Sequence, residues 1–186
     1  MRTMAGSFNR AAIAALVLSG FLFSSAPVAG ASAEIDAHVR QTIENLYKTS
    51  SAAKDLAAKS AGMLVFPTVV KGGFVVGAEY GEGALLVGGK TAAYYSIASG
   101  SLGLQIGVQE KSVVLLFMTA EALTKFRESQ GWKAGVDGSV ALANLGAGDA
   151  IDTETMKKPI IGFVFNNKGL MANLTLEGSK ITRIDR

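Results

Sequence analysis

The spacing of hydrophobic positions changes along this chain, and the changes divide it. Residues 11–23 (AAIAALVLSGFLF) are an unbroken apolar run behind a start that carries Arg2 and Arg10 and no acid. The run is short for a membrane span, which takes roughly 20 residues, and it fits the apolar region of a secretory signal. Ala31-Ser32-Ala33 gives an A-x-A cleavage site before Glu34, and Ala29-Gly30-Ala31 gives a second. We therefore expect residues 1–33 to be a signal peptide and the rest to be exported, periplasmic or secreted, with possible attachment to a membrane surface.

A helical period follows. Ile35, Val39, Ile43, Leu46 and Tyr47 recur at steps of three and four, which places them on one face of a helix over 34–60. Asp36 is positioned to cap its start, and Arg40, Glu44 and Lys48 are spaced for i,i+4 ion pairs. Ser50-Ser51 can split the segment, leaving Ala53, Leu56 and Ala57 on a second helix, and Gly62 can stop it. This gives a helical segment over 34–62 and a β-rich domain over 63–186.

From Met63 the pattern becomes that of strands. The apolar runs 63–66, 73–78, 84–87, 92–97, 112–118 and 160–165 are each strand-length, with 79–83 (EYGEG) read as a turn. Leu102, Leu104, Ile106 and Val108 alternate with Gly and Gln, and Leu170, Ala172, Leu174 and Leu176 repeat that alternation after a tight turn at Asn166–Gly169. Lys133 to Leu142 alternates weakly, and Ile181–Ile184 can close the sheet. One more helix interrupts the strands at 119–129, capped by Thr119 and turning Leu123 and Phe126 inward.

Composition sharpens this picture. Beyond residue 33 there are 19 glycines in 153 residues, about 12%, against a usual share near 7%. Gly77, Gly103, Gly107, Gly135, Gly138 and Gly162 fall inside apolar segments, where glycine marks a bend, a bulge or a close backbone approach. The fold class expected is α+β: a Gly-rich, mostly antiparallel, barrel-like sheet with N-terminal helices and one internal helix packed on it.

Charge and chemistry exclude more than they propose. The net charge of +3 falls to +1 beyond residue 33, which gives no argument for nucleic acid. With no Cys and a single His, thiol catalysis, Cys-based metal sites and multi-His centres are excluded. Residues 84–91 (ALLVGGKT) have a relaxed phosphate-loop spacing but run from strand to strand, where a nucleotide site needs a helix. Ser51-x-x-Lys54 lacks the partner motifs of penicillin-recognising enzymes. His38 has no visible nucleophile or acid partner, and Asp149, Asp152 and Glu154 are too sparse for a calcium loop. The expectation is therefore no enzyme, no nucleotide, no metal and no cofactor. Lys71, Lys90 and Lys111 each stand at a strand end or turn, and clustered at one end of a barrel they would attract anionic headgroups. Trp132 beside Lys133 has the aromatic–cation pairing of a membrane boundary, or else is a core aromatic.

Four blocks of residues carry a family likeness: Phe66-Pro67, Lys71-Gly-Gly-Phe-Val-Val-Gly77, Leu102-Gly-Leu-Gln-Ile-Gly-Val-Gln109, and Gly169 to Ser179 (GLMANLTLEGS). Through them, residues 61–186 resemble the SYLF family of lipid-binding domains. The resemblance implies non-catalytic binding of anionic phospholipid, phosphoinositides in eukaryotic members. The membrane contact of those members is attributed to a basic amphipathic N-terminal region, and the helix here has mixed charge, so no binding residue is carried over. The expected function is peripheral binding to anionic phospholipid in the cell envelope, with Lys71, Lys90, Lys111, Trp132 and Lys133 as contact candidates. An envelope protein–protein interaction module or a hydrophobic-ligand carrier is the alternative.

Overall fold

A computed structural model of the chain describes residues 28–73, 76–102, 109–143, 151–166, 169–171 and 175–186. Among these, four helices, α1 (Val28–Thr49), α2 (Ser51–Lys59), α3 (Ala120–Glu128) and α4 (Thr153–Met156), accompany nine strands. The strands are β1 (Gly62–Gly73), β2 (Val76–Val87), β3 (Lys90–Leu102), β4 (Gln109–Phe117), β5 (Trp132–Lys133), β6 (Ala141–Leu142), β7 (Ile160–Asn166), β8 (Gly169–Leu170) and β9 (Lys180–Ile184). They form one sheet in the order β5-β9-β3-β2-β1-β4-β7-β6, with β8 also on β7. Every pairing is antiparallel except β6 on β7. The sheet curls into a half-barrel, so the chain is α+β as its pattern predicts.

The curl has a local cause in β1. Phe66 and Pro67 together face the single residue Gly83 of β2, and Pro67 and Thr68 face Ser112 of β4. Bulges on both sides of one strand bend it sharply and increase its twist. Pro67 has no N–H to give the ladder, and its carbonyl accepts from Ser112 Oγ at 2.6 Å. The bend drives β1 into β2: a Cβ on Gly83 would lie 1.9 Å from the Val65 carbonyl oxygen. Residues 79–83 are therefore the middle of one continuous strand, β2, and not the turn their composition suggests. The turn lies at Gly88 and Gly89, whose φ values of 58° and 75° suit the two-residue hairpin between β2 and β3.

Two cores share the sheet. Inside the curl, Leu64, Phe66, Leu85, Leu115, Phe117 and Ile181 meet Leu123 and Phe126 of α3. Phe126 is central, with ring centroids 4.8 Å from Phe117, 5.0 Å from Tyr95 and 5.7 Å from Trp132. On the outer face, Val39 and Leu46 of α1 and Leu56 of α2 cover Met63, Val65, Leu116 and Phe163. Burial on both faces explains why β4 and β7 read as continuous apolar runs rather than alternating ones.

The helices follow their signals with some differences. Ser50 separates α1 from α2 and caps α2, its hydroxyl accepting from the Ala53 N–H at 3.0 Å. Thr119 caps α3 in the same way, at 3.1 Å. Within the described residues α1 starts at Val28, so Asp36 lies inside it and does not cap it. Its carboxylate instead accepts from Thr91 Oγ1 at 2.9 Å and Tyr94 Oη at 3.2 Å, which pins α1 to β3. Arg40, Glu44 and Lys48 make no ion pair among the described residues. Gly62 begins β1 and does not end a helix, because α2 stops at Lys59 with Ser60 as its cap.

Residues 133–142 are not one strand. After β5 the chain turns through Gly135 (φ 84°), with Asp137 accepting from the Lys133 backbone N–H at 2.6 Å, before β6 forms. Most of the alternating stretch 102–108, glycines 103 and 107 with it, and residues 172–174 of its repeat lie outside the described residues. The hairpin at Asn166–Gly169 is present as the β7–β8 pairing. Ile181–Ile184 falls in β9, which joins the sheet beside β3.

Candidate functional site

Strand register places the charged candidates. Lys71 in β1 is paired with Glu79 in β2, and Lys111 in β4 stands opposite Val69, two residues before Lys71. Side chains alternate along a strand, so Lys71, Glu79 and Lys111 share the inner face with Val69 and form one end of the half-barrel interior. Lys111 Nζ lies 2.7 Å from Glu79 Oε2, and Lys71 Nζ lies 3.7 Å from Oε1. All three side chains are shielded, with 12%, 20% and 14% exposure for Lys111, Lys71 and Glu79. Two ammonium groups thus share one carboxylate, leaving one positive charge in excess where solvent screening is weakened. Each ammonium has three donors, and one carboxylate cannot satisfy them all. Ser99 of β3 is the register partner of Glu79 on the other side.

The outer face of this same end is exposed and mixed in character. Val70 and Tyr80 are register partners, 40% and 53% exposed. Glu110 of β4, itself exposed, is the other register partner of Val70, so a carboxylate stands beside the apolar residues. The Tyr80 hydroxyl donates to Glu82 Oε1 at 2.7 Å, and Glu82 in turn pairs with the Arg186 guanidinium, whose Nε is 3.0 Å from Oε2. The arginine bonds hold the Glu82 carboxyl below the usual carboxylate range, and the bond to Glu82 raises the Tyr80 phenol above its usual value.

The other candidates lie elsewhere. Lys90 is exposed at the β2–β3 turn, at the opposite end of the sheet, so the three strand-end lysines do not form one cluster. Lys133 is exposed on β5 across from Lys180 of β9, where two cations face solvent at an outer strand. Trp132 is 2% exposed, edge-on to Phe126, and so is a core aromatic with no surface to insert into a membrane in this arrangement. His38 is exposed on α1, Asp149 is outside the described residues, and Asp152 caps α4 through Thr155. Sequence reasoning missed Glu79, Val70 and Tyr80. A carboxylate eight residues from Lys71 gives no sign of touching it until the β1–β2 register is known.

Residues 98–185, from the last part of β3 through β9, match the family model described as Ysc84: Las17-binding protein actin regulator. No curated protein matches the chain.

Proposed function

We propose that this chain, which belongs to the SYLF family, is a non-catalytic lipid-binding protein that docks peripherally on anionic phospholipid surfaces. The observation that carries the reading is the pair Lys71 and Lys111 on one carboxylate, Glu79. Two ammonium groups converging on one carboxylate at a shielded end of the half-barrel suit a phosphate headgroup. Val70 and Tyr80, on the outer face of the same end, supply the apolar contact that the sequence alone assigned to Trp132. The family likeness supports lipid as the ligand. The basic start, the apolar run 11–23 and the A-x-A sites support an exported protein acting in the envelope.

The test is co-sedimentation of residues 34–186, the chain left after the expected cleavage, with vesicles. Binding is expected to rise with phosphatidylglycerol or cardiolipin content and to fall with salt. Replacing Lys71, Lys111 and Glu79 together by Gln leaves no orphaned charge and is expected to weaken binding about fivefold, at roughly 1 kcal/mol for the one net positive charge removed. Equal binding to neutral vesicles, or a triple variant that binds like the parent, rejects the reading.

A protein-interaction module is the second reading. It is favoured by the family's description, which names a protein ligand, and by the exposed Val70–Tyr80 face. A partner retained after detergent strips lipid, and lost in Tyr80→Ser, would favour it.

A further inference from the structure

A cavity of about 520 Å³ lies between α1, α2 and the β2–β3 end of the sheet, far along β1 and β2 from the lysine pair. It exists because small residues stand where two helices meet strands: Ala57, Ala58, Ala61 and Gly62 leave the space unfilled. Its floor is apolar, formed by Ile43, Met63 and Leu86. The charged and phenolic groups stand on one wall, where Arg40, Glu44 and Tyr47 project from successive turns of α1, and the one other polar side chain of the lining, Ser60, spends its hydroxyl on the Ala57 carbonyl at 2.8 Å. Neither Arg40 nor Tyr47 has a side-chain hydrogen bond or ion pair among the described residues. Tyr47 is half-buried there, and burial holds its phenol protonated, as a donor.

We propose that this cavity is a binding site for one single-chain amphiphile with a carboxylate head, such as a free fatty acid. Its volume lies within the roughly 300–1,000 Å³ of small-ligand sites, and its make-up, apolar walls with a few convergent polar groups, is theirs. A saturated chain fills the floor without stranding a polar atom. The head meets a guanidinium and a phenol, both donors, and a carboxylate is the acceptor that best fits both. Glu44 on the same wall limits the site to one anionic charge and opposes a doubly charged head. The site is separate from the lysine pair and does not depend on the membrane reading.

The experiment is calorimetric titration of the full chain with dodecanoate, below its micellar concentration, and with dodecanol, below its solubility limit, with native mass spectrometry for stoichiometry. One dodecanoate per chain is expected, with dodecanol about tenfold weaker, the loss of a charge-assisted hydrogen bond. Arg40→Gln should bring the acid down to the alcohol, and Glu44→Gln should tighten it. Two variants fill the cavity: Ala58→Phe from an exposed helix position and Ala57→Leu from a half-buried one. Each should weaken dodecanoate about tenfold while keeping the parent's thermal midpoint. The Lys71, Lys111 and Glu79 triple variant should bind dodecanoate unchanged, which separates this site from the vesicle-docking one. No saturable binding, or filled variants that bind like the parent, overturns the site. An alcohol bound as tightly as the acid overturns the carboxylate assignment.

Discussion

At the scale of single residues, the strongest constraint falls on a glycine whose role its neighbours in sequence do not reveal. Gly83 sits in a Gly-rich stretch that reads as a turn, because glycine in a turn and glycine beneath a bulged partner look alike in sequence. Only the Val65 carbonyl, brought 1.9 Å from where a Cβ would stand, separates the two cases. Backbone cannot yield as a flexible side chain does, so Gly83→Ala is expected to destabilise by about 3 kcal/mol in urea unfolding. Gly100, whose added Cβ would meet nothing within 4 Å, is the control: Gly100→Ala should stay within about 0.5 kcal/mol of the parent. Glu82 gives a pH test. Its folded carboxyl titrates below the ordinary 4.5 because Arg186 holds it ionised. Such a group adds stability above its unfolded pKa and loses it as pH falls through the folded one. The gap in thermal midpoint between parent and Arg186→Gln should therefore be present at neutral pH and close on acidification below 4.5. It should be small throughout, since the pair is partly exposed and screened. A gap that widens in acid would reverse the assignment.

At the scale of elements, what was legible followed from local rules. Thr119 and Ser50 stand directly before their helices with apolar residues three and four apart behind them; Thr119 caps as expected, and Ser50, expected only to split the helical segment, also caps the helix that follows. Their burial distinguishes them. Ser50 is fully buried, so without its hydroxyl the Ala53 N–H has no water to turn to, whereas Thr119 is exposed. Ser50→Ala is expected to cost about 2 kcal/mol and Thr119→Ala about half of that, measured as shifts in urea midpoint at constant slope. Equal costs would mean that burial at the α1–α2 junction is irrelevant. Asp36 shows where local rules stop. It has the chemistry of a cap, but the helix begins earlier and its carboxylate is taken by Thr91 and Tyr94, 55 and 58 residues away. The short strands β5 and β6 were illegible for a related reason. Their two-residue pairings depend on what β9 and β7 present to them, not on a period of their own, whereas β8 was announced by the turn at Asn166–Gly169.

At the scale of the whole molecule, the curl decides which side chains meet solvent, and this changes the picture of the binding face. Composition suggested a curled sheet, since glycines inside apolar runs need a reason. It did not say which residues the curl would enclose. Trp132 was swept into the interior against Phe126, while Tyr80 was left outside. The lysines divided likewise: Lys71 and Lys111 converge because antiparallel neighbours flank β1, and Lys90 is carried to the far end by the length of β2. Because Trp132 is the single tryptophan and is 2% exposed, the molecule contains its own reporter of how it docks. If the half-barrel binds vesicles intact through the Lys71–Lys111 end, tryptophan emission should already be blue-shifted in solution and should not move when phosphatidylglycerol vesicles are added. Acyl-chain quenchers should leave it untouched, while a tryptophan placed by Tyr80→Trp should be quenched. If binding instead opens the core, Trp132 must leave Phe126, and its emission and quenching should change together with the loss of near-ultraviolet circular dichroism. Quenching of Trp132 without any response at position 80 would show that lipid enters through the α3 side of the interior, and the docking face argued from the lysine pair would have to be abandoned.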